Sequence, residues 1–127
     1  MKRVFLSFKM EDKKQVDGVR LLSWNKNHPL DFYDESVRIA YKSDNARYIK
    51  ANIKEKIERA SITLCLLGAN TYLSEWVDWE LATSISCNNK IVLMGLPNGP
   101  QRLILPQAVR DQNWYSWDAD LLARLLL

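Results

Sequence analysis

The chain has 127 residues, 47% of them hydrophobic, and its 18 basic and 15 acidic residues give a net charge of +3. This length fits one compact domain, so we predict a single domain over residues 1–127. The charges of both signs are mixed along the chain, which argues against a nucleic-acid-binding face. No run approaches the roughly 18 apolar residues of a membrane span, and residues 1–8 do not resemble a signal peptide, so we expect a cytoplasmic protein without membrane contact.

The cysteine and histidine content argues against a metal centre. Cys65 lies within an apolar run and Cys87 near the end of a predicted helix, and neither has a second ligand at metal-binding spacing. The single histidine, His28, adjoins a proline in a predicted loop. We therefore predict no metal site and two reduced, structural thiols.

Apolar residues alternate between strand-like runs and helix-like spacing along the whole chain. Short runs rich in β-forming residues predict strands, and apolar residues three and four apart predict helices. In chain order, the predicted elements are a strand over residues 3–8, a helix through 16–22, a strand over 30–33, a polar loop over 34–43, a helix over 44–60, a strand over 61–68, a helix from 74, a strand over 91–96, a strand near 114–115 and a helix over 118–127.

This alternation predicts an α/β fold, in which helices cover both faces of a doubly wound parallel sheet. The almost continuous apolar run over residues 61–68 belongs in the middle of that sheet. We predict five strands in the flavodoxin-like order 2-1-3-4-5. Such sheets bind ligands beyond the carboxyl ends of the strands, where Phe8, Lys9, Asp34 and the loop over residues 69–74 would meet.

The segment from Ser74 to Leu81 predicts a helix that carries a functional acid. Ser74 can cap the first backbone N–H groups, and acidic residues at 75 and 78 suit the positive end of the helix dipole. Trp76 and Glu80 are four apart and share a face, which places an aromatic ring beside a carboxylate. Val77, Leu81 and Ile85 form an apolar stripe that is expected to pack inward, and Trp79 points to another side and is expected to pack as well.

Three segments in this order resemble Toll/interleukin receptor (TIR) domains. Residues 3–8 (RVFLSF) resemble the opening box, residues 32–34 (FYD) the second strand and its loop, and residues 74–81 (SEWVDWEL) the helix that carries tryptophan and glutamate. The spacing fits across nearly the whole chain. The RVF-SF opening, the long second loop and the S-x-W-V-x-x-E helix are most similar to bacterial TIR-like proteins of the Thoeris antiphage-defence type.

This resemblance implies an enzyme that cleaves NAD+ at the nicotinamide–ribose bond and makes an ADP-ribose signal, linear or cyclic. NAD+ is then a substrate, and no bound cofactor is implied. By position, Glu80 matches the family's catalytic glutamate, Trp76 its substrate-stacking tryptophan and Phe8 a pocket-lining residue, while Asp34 is a weaker match. The family also implies self-association in head-to-tail assemblies and a downstream effector that senses the nucleotide product.

Each candidate residue also has a plainer interpretation. Glu80 fits a solvated position in a helix, Trp76 and Phe8 fit the core, and Asp34 fits a turn. Two other functions also remain open. A non-catalytic TIR-type interaction module would share the fold, and a nucleoside deoxyribosyltransferase-like enzyme would also break an N-glycosidic bond with a glutamate. A P-loop or dinucleotide-binding redox protein is disfavoured, because no glycine-rich turn follows the first strand.

Overall fold

The computed structural model describes residues 2–24, 33–34 and 46–127, and strands and helices alternate along them. Three short 3₁₀ turns, over Met10–Asp12, Thr71–Leu73 and Gln107–Val109, connect some of these elements. The described strands and helices are β1 (Arg3–Ser7), α1 (Lys13–Trp24), β2 (Tyr33–Asp34), α2 (Ala46–Arg59), β3 (Ile62–Leu67), α3 (Glu75–Ser86), β4 (Lys90–Gly95) and α4 (Ala119–Leu125).

The four described strands form one parallel sheet in the order β2-β1-β3-β4. Ser7 of β1 lies opposite Cys65 of β3, and Cys65 lies opposite Leu93 of β4. This order agrees with the first four positions of the predicted sheet, and all six residues of β3 are buried, as a central strand requires.

The predicted fifth strand is not confirmed. Tyr115 makes a single isolated parallel bridge to Met94, through one hydrogen bond to Leu93 and one from Gly95. Three residues later the Asp118 side chain accepts a hydrogen bond from the backbone of Leu121 and begins α4. The chain therefore turns into a helix before a second pair of residues can extend the strand.

Side chains alternate between the two faces of the sheet, and each face has its own core. Val4 and Leu6 of β1, and Phe8 directly after it, pack with buried residues of α1 and α4, and we call this side the α1/α4 face. Phe5 packs on α2 instead, and Cys65 packs on α3, so the opposite side is the α2/α3 face.

The apolar stripe predicted for α2 is confirmed where the structure describes it. Ile53, Ile57 and Ala60 are buried against Phe5, and Ile49 packs beside them. Residues 30–32 of the predicted second strand, the loop over 35–43 and the predicted helix start at 44–45 lie outside the described residues. Across the part of the chain that is described, no helix has both the length and the apolar character needed to cross a membrane.

Candidate functional site

The start of α3 has the capping geometry that its sequence predicts. Ser74 adopts an extended conformation, and its side chain accepts a hydrogen bond from the backbone N–H of Val77 at 3.2 Å. Glu75 and Asp78 lie in the first turn, at the positive end of the helix dipole. Asp78 also accepts a hydrogen bond of 2.8 Å from the backbone of Ala108, which attaches the 3₁₀ turn at 107–109 to the helix.

The inward stripe of α3 differs from the prediction at one position. Val77 and Leu81 are fully buried, but Ile85 is 42% exposed, so its predicted inward packing is wrong. Ser84 is buried in its place and donates a hydrogen bond to the carbonyl of Glu80 at 2.8 Å. The reason is the rotation of about 100° per helical residue. Ser84, seven residues after Val77, points within about 20° of the direction of Val77, whereas Ile85, eight residues after it, points about 80° away.

Glu80 is a buried acid on the α2/α3 face. It is 1% exposed, and Oε1 accepts a hydrogen bond from the hydroxyl of Ser7 at 2.9 Å. Burial raises the pKa of the neighbouring Cys65 thiol, and the charge of Glu80 raises that pKa further. Since Ser7 and Cys65 are opposite each other on β1 and β3, the carboxylate lies over the join between these strands. Glu80 is therefore not a solvated helix residue.

Trp76 lies at the surface, next to a second tryptophan. It is 36% exposed, and its ring makes an edge contact with Trp79, with centroids 6.2 Å apart and planes at 85°. Trp79 packs against the buried cluster around Phe5, as its position in the helix predicts. The Lys50 ammonium of α2 lies 5.9 Å from the Trp76 centroid and 5.3 Å from that of Trp79. The core interpretation of Trp76 is wrong.

None of the described contacts of Phe8 or Asp34 involves Glu80. Phe8 is 2% exposed and lies in the core of the α1/α4 face, where the guanidinium of Arg20 is 5.3 Å from its ring centroid. Ser7, which contacts Glu80, belongs to the opposite face of β1. The backbone of Asp34 pairs with Val4 at the edge of the sheet, but its side chain lies outside what is described. Substrate contact by either residue stays a prediction.

The structure adds Ser7 to the candidate site. Only its position in the sequence could have revealed it, since a serine at an inward position of an otherwise apolar strand needs a hydrogen-bond partner. That partner is 73 residues away in the sequence. The Ser7 hydroxyl therefore orients the Glu80 carboxylate.

Asp12 is a second polar group that the sequence did not indicate. Its carboxylate lies over Gly68, where an added Cβ would collide with Oδ2, so any other residue at 68 would force the Asp12 side chain to move. Oδ2 is buried and accepts no hydrogen bond from the described residues. Burial, and to a smaller extent the charge of Glu11, raise the pKa of Asp12 above its usual value. Asp12 thus lies just past the carboxyl end of β3.

Comparison with known proteins gives a family and a fold. A sequence-family model described as the TIR-like domain of the Thoeris protein ThsB matches residues 5–101. No functionally curated protein matches the sequence significantly. The TIR domain of the Toll-related receptor TRR-2 from Hydra magnipapillata is 14% identical, with a TM-score of 0.63 over 99% of this chain and 92% of that one.

Two further solved structures have the same fold. The CMP N-glycosidase BcmB from Clostridium botulinum is 16% identical, with a TM-score of 0.61 over 99% of this chain and 100% of that one. The TIR domains of the activated Roq1 resistosome are 18% identical, with a TM-score of 0.57 over 89% of this chain and 64% of that one. At these identities the similarity concerns the fold alone.

Proposed function

Since the chain belongs to the TIR-like family of the Thoeris protein ThsB, we propose that it cleaves NAD+ at the nicotinamide–ribose bond. The product would be an ADP-ribose signal, linear or cyclic, made in the cytoplasm during antiphage defence and sensed by a downstream effector. The observation that supports this best is Glu80, an acid that is 1% exposed and oriented by the Ser7 hydroxyl.

A single carboxylate suits this reaction. Most glycoside hydrolases need a second carboxyl group, because an oxygen leaving group must be protonated. The nicotinamide nitrogen of NAD+ is already cationic and leaves as a neutral base, so no general acid is required. The remaining task is to stabilise the positive charge that develops on the ribose, and a fixed carboxylate does this best where water is excluded. The burial of Glu80 supplies that environment.

The fate of the ribose depends on which nucleophile reaches the anomeric carbon. Water gives linear ADP-ribose, whereas a nitrogen or hydroxyl of the same ADP-ribose closes a ring. The cation is attacked in both cases after the same bond has broken, so Glu80 serves either outcome. NAD+ is consumed in this scheme and does not remain as a cofactor.

A second candidate is an N-glycosidase that acts on a nucleoside monophosphate. The CMP N-glycosidase from Clostridium botulinum favours it, because the two chains correspond over 99% and 100% of their lengths. Cytosine is a neutral base and needs a proton to leave well, so Glu80 would have to bind that proton before the bond breaks. A deoxyribosyltransferase-like activity would also have to protonate a neutral base before it leaves.

A non-catalytic assembly module is the third candidate. Members of this fold include the TIR domains of a resistosome, and head-to-tail self-association would also complete a pocket between neighbouring copies. In the proposed NAD+-cleaving enzyme, such assembly is required for activity. Turnover per molecule is therefore expected to rise with protein concentration.

One incubation experiment separates these candidates. The purified protein is incubated at a series of concentrations with NAD+, CMP or a deoxynucleoside, and released bases and sugar products are identified by chromatography and mass spectrometry. Release of nicotinamide that is absent in the Glu80→Gln variant supports the proposal. Release of cytosine from CMP with NAD+ untouched supports the N-glycosidase, and no release at any concentration supports the assembly module.

A further inference from the structure

Lys50, Trp76 and Trp79, which we call the Lys50 cluster, lie at the carboxyl edge of the sheet. α2 runs from this edge toward the start of β3, and α3 begins after β3 has ended. The first turns of both helices therefore lie at the edge where parallel sheets bind ligands. Lys50 is in the second turn of α2, and Trp76 is the second residue of α3.

The two indole rings hold the Lys50 ammonium in place. Lys50 is exposed, yet its nitrogen lies within 6 Å of both ring centroids, at 5.9 and 5.3 Å. Attraction between a cation and a π face restricts a side chain that otherwise samples many rotamers. No carboxylate in the described part of the chain forms an ion pair with Lys50. Because Lys50 is exposed, a ligand in solution can reach its ammonium group.

The charge of Lys50 determines what the cluster attracts. A second cation, such as a pyridinium ring, would be repelled by an ammonium that already occupies these ring faces. A phosphate would be attracted and would form charge-assisted hydrogen bonds. Trp76 and Glu80 are four residues apart, about 6 Å along the helix axis. The 5′-phosphate and the anomeric carbon of one nucleotide are separated by a similar distance. A phosphate at Lys50, which lies over Trp76, would therefore leave the anomeric carbon near the level of Glu80 on the helix.

We propose that Lys50 binds the 5′-phosphate on the ribose that loses its base, so that the site accepts nucleotides and discriminates against nucleosides. This inference rests on the proposed cleavage of an N-glycosidic bond at Glu80. It applies equally to NAD+ and to a nucleoside monophosphate, because both carry a 5′-phosphate on the reacting ribose.

The test measures binding without turnover, in protein that carries Glu80→Gln. The probes are nicotinamide mononucleotide and nicotinamide riboside, which differ only in the 5′-phosphate, and affinity is followed by calorimetry. Adding Lys50→Met is expected to weaken binding of the mononucleotide about tenfold, the size of one charge-assisted contact, and to leave the riboside nearly unchanged. Lys50→Arg is expected to keep most of the mononucleotide affinity.

Lys54→Met is the matched control. Lys54 is also exposed and lies one turn further along α2, away from the carboxyl edge, so both affinities are expected to stay unchanged. The inference would be overturned if the mononucleotide bound equally well to Glu80→Gln protein with and without Lys50→Met. It would also be overturned if Lys50→Met weakened binding of the riboside as much as binding of the mononucleotide. Inorganic phosphate that binds as tightly as the mononucleotide would reduce the site to a simple anion site. Nicotinamide release is measured separately, so its absence contradicts only the proposed function.

Discussion

The two faces of the sheet are built differently. The core of the α1/α4 face is one continuous cluster of buried apolar residues from β1, β3, β4, α1 and α4. The α2/α3 face has two separate apolar clusters, and buried polar side chains lie among its inward positions. These polar residues are Ser7, Thr63, Glu80 and Ser84.

A chain of hydrogen bonds connects most of these polar groups. The Thr63 hydroxyl donates to Ser84 at 2.7 Å, Ser84 donates to the carbonyl of Glu80 at 2.8 Å, and Asn89 donates to Thr63 at 3.3 Å. Buried polar groups destabilise a core unless they are hydrogen-bonded, and the hydroxyls of Ser7, Thr63 and Ser84 all make hydrogen bonds. We infer that the α1/α4 face supplies stability while the α2/α3 face fixes α3, and therefore Glu80, in one orientation.

The largest expected effect is on stability, from a substitution on the α1/α4 face. Phe8→Ala removes a side chain that is 2% exposed, and a loss of about 3–5 kcal/mol in the free energy of unfolding is expected. Urea denaturation measures it. The folded fraction should keep the KM of the wild type. A raised KM in the milder Phe8→Leu variant would instead support the pocket-lining role that the family resemblance implies.

The second effect is on turnover, from the α2/α3 face. Glu80→Gln keeps the size of the side chain and removes its charge, so kcat for NAD+ cleavage should fall about 10²–10³-fold. Thermal denaturation should show a folded protein. Glu75→Gln is the control, because Glu75 lies on the same helix and is exposed. Equal rates for the two variants would remove Glu80 from the chemistry.

A smaller loss is expected when Ser7 can no longer orient the acid. Ser7→Ala deletes the hydroxyl that donates to Glu80 at 2.9 Å, and kcat should fall about tenfold with KM little changed, as one hydrogen bond to a charged group implies. The acidic limb of the pH–rate profile should move to higher pH, because the ionised carboxylate of Glu80 loses a hydrogen-bond donor. Ser7→Thr restores the hydroxyl and should recover part of the rate. An unshifted profile with lower stability would assign Ser7 a structural role only.

Trp76→Ala separates surface from core on α3. Trp76→Ala removes one of the two rings that hold Lys50, so KM should rise several-fold. Because Trp76 is 36% exposed, the melting temperature should change little. Trp79→Ala is the comparison, because Trp79 packs on the buried cluster around Phe5 and should lower the melting temperature more. Kinetics and calorimetry on both variants decide this, and the reverse ranking of melting temperatures would contradict the described packing.

The smallest effect concerns Asp12 and depends on pH. Because burial raises the pKa of this carboxyl, its ionisation costs more in the folded than in the unfolded protein. Asp12 therefore destabilises the folded state at neutral pH, and that destabilisation disappears below about pH 4, where the unfolded chain also binds the proton. Asp12→Asn should raise the melting temperature slightly at pH 7 and have no effect at low pH. A pH-independent difference would exclude this explanation.

Features set by neighbouring residues were predictable from the sequence. The cap at Ser74, the acidic first turn of α3 and the buried stripe of α2 depend on spacing within one helix. The central position of β3 follows from its continuous apolar run. The parallel arrangement of the strands follows from the alternation of strands and helices. Their order is one of two common orders for such sheets, which alternation alone does not distinguish.

Features set by contacts between distant residues were not predictable. The hydrogen bond from Ser7 to Glu80 depends on how α3 lies over β1, and the fit of Asp12 over Gly68 depends on how the turn after β1 meets the end of β3. The shortened fifth strand depends on where α4 begins, which competes with strand formation at Tyr115. Helical phase decided between Ser84 and Ile85, where a simple four-residue count gave the wrong residue.

The position of Cys65 gives the protein an internal reporter. Its thiol is fully buried in the strand beneath Glu80, and both burial and the carboxylate keep it protonated. Alkylating reagents react with the thiolate and not with the thiol. They will therefore modify Cys65 only when β3 and α3 separate and the thiol is exposed to water. Cys87 is partly accessible and serves as the internal reference for reagent reactivity. The ratio of the two labelling rates, measured by peptide mass spectrometry, therefore records how often the floor of the candidate site opens.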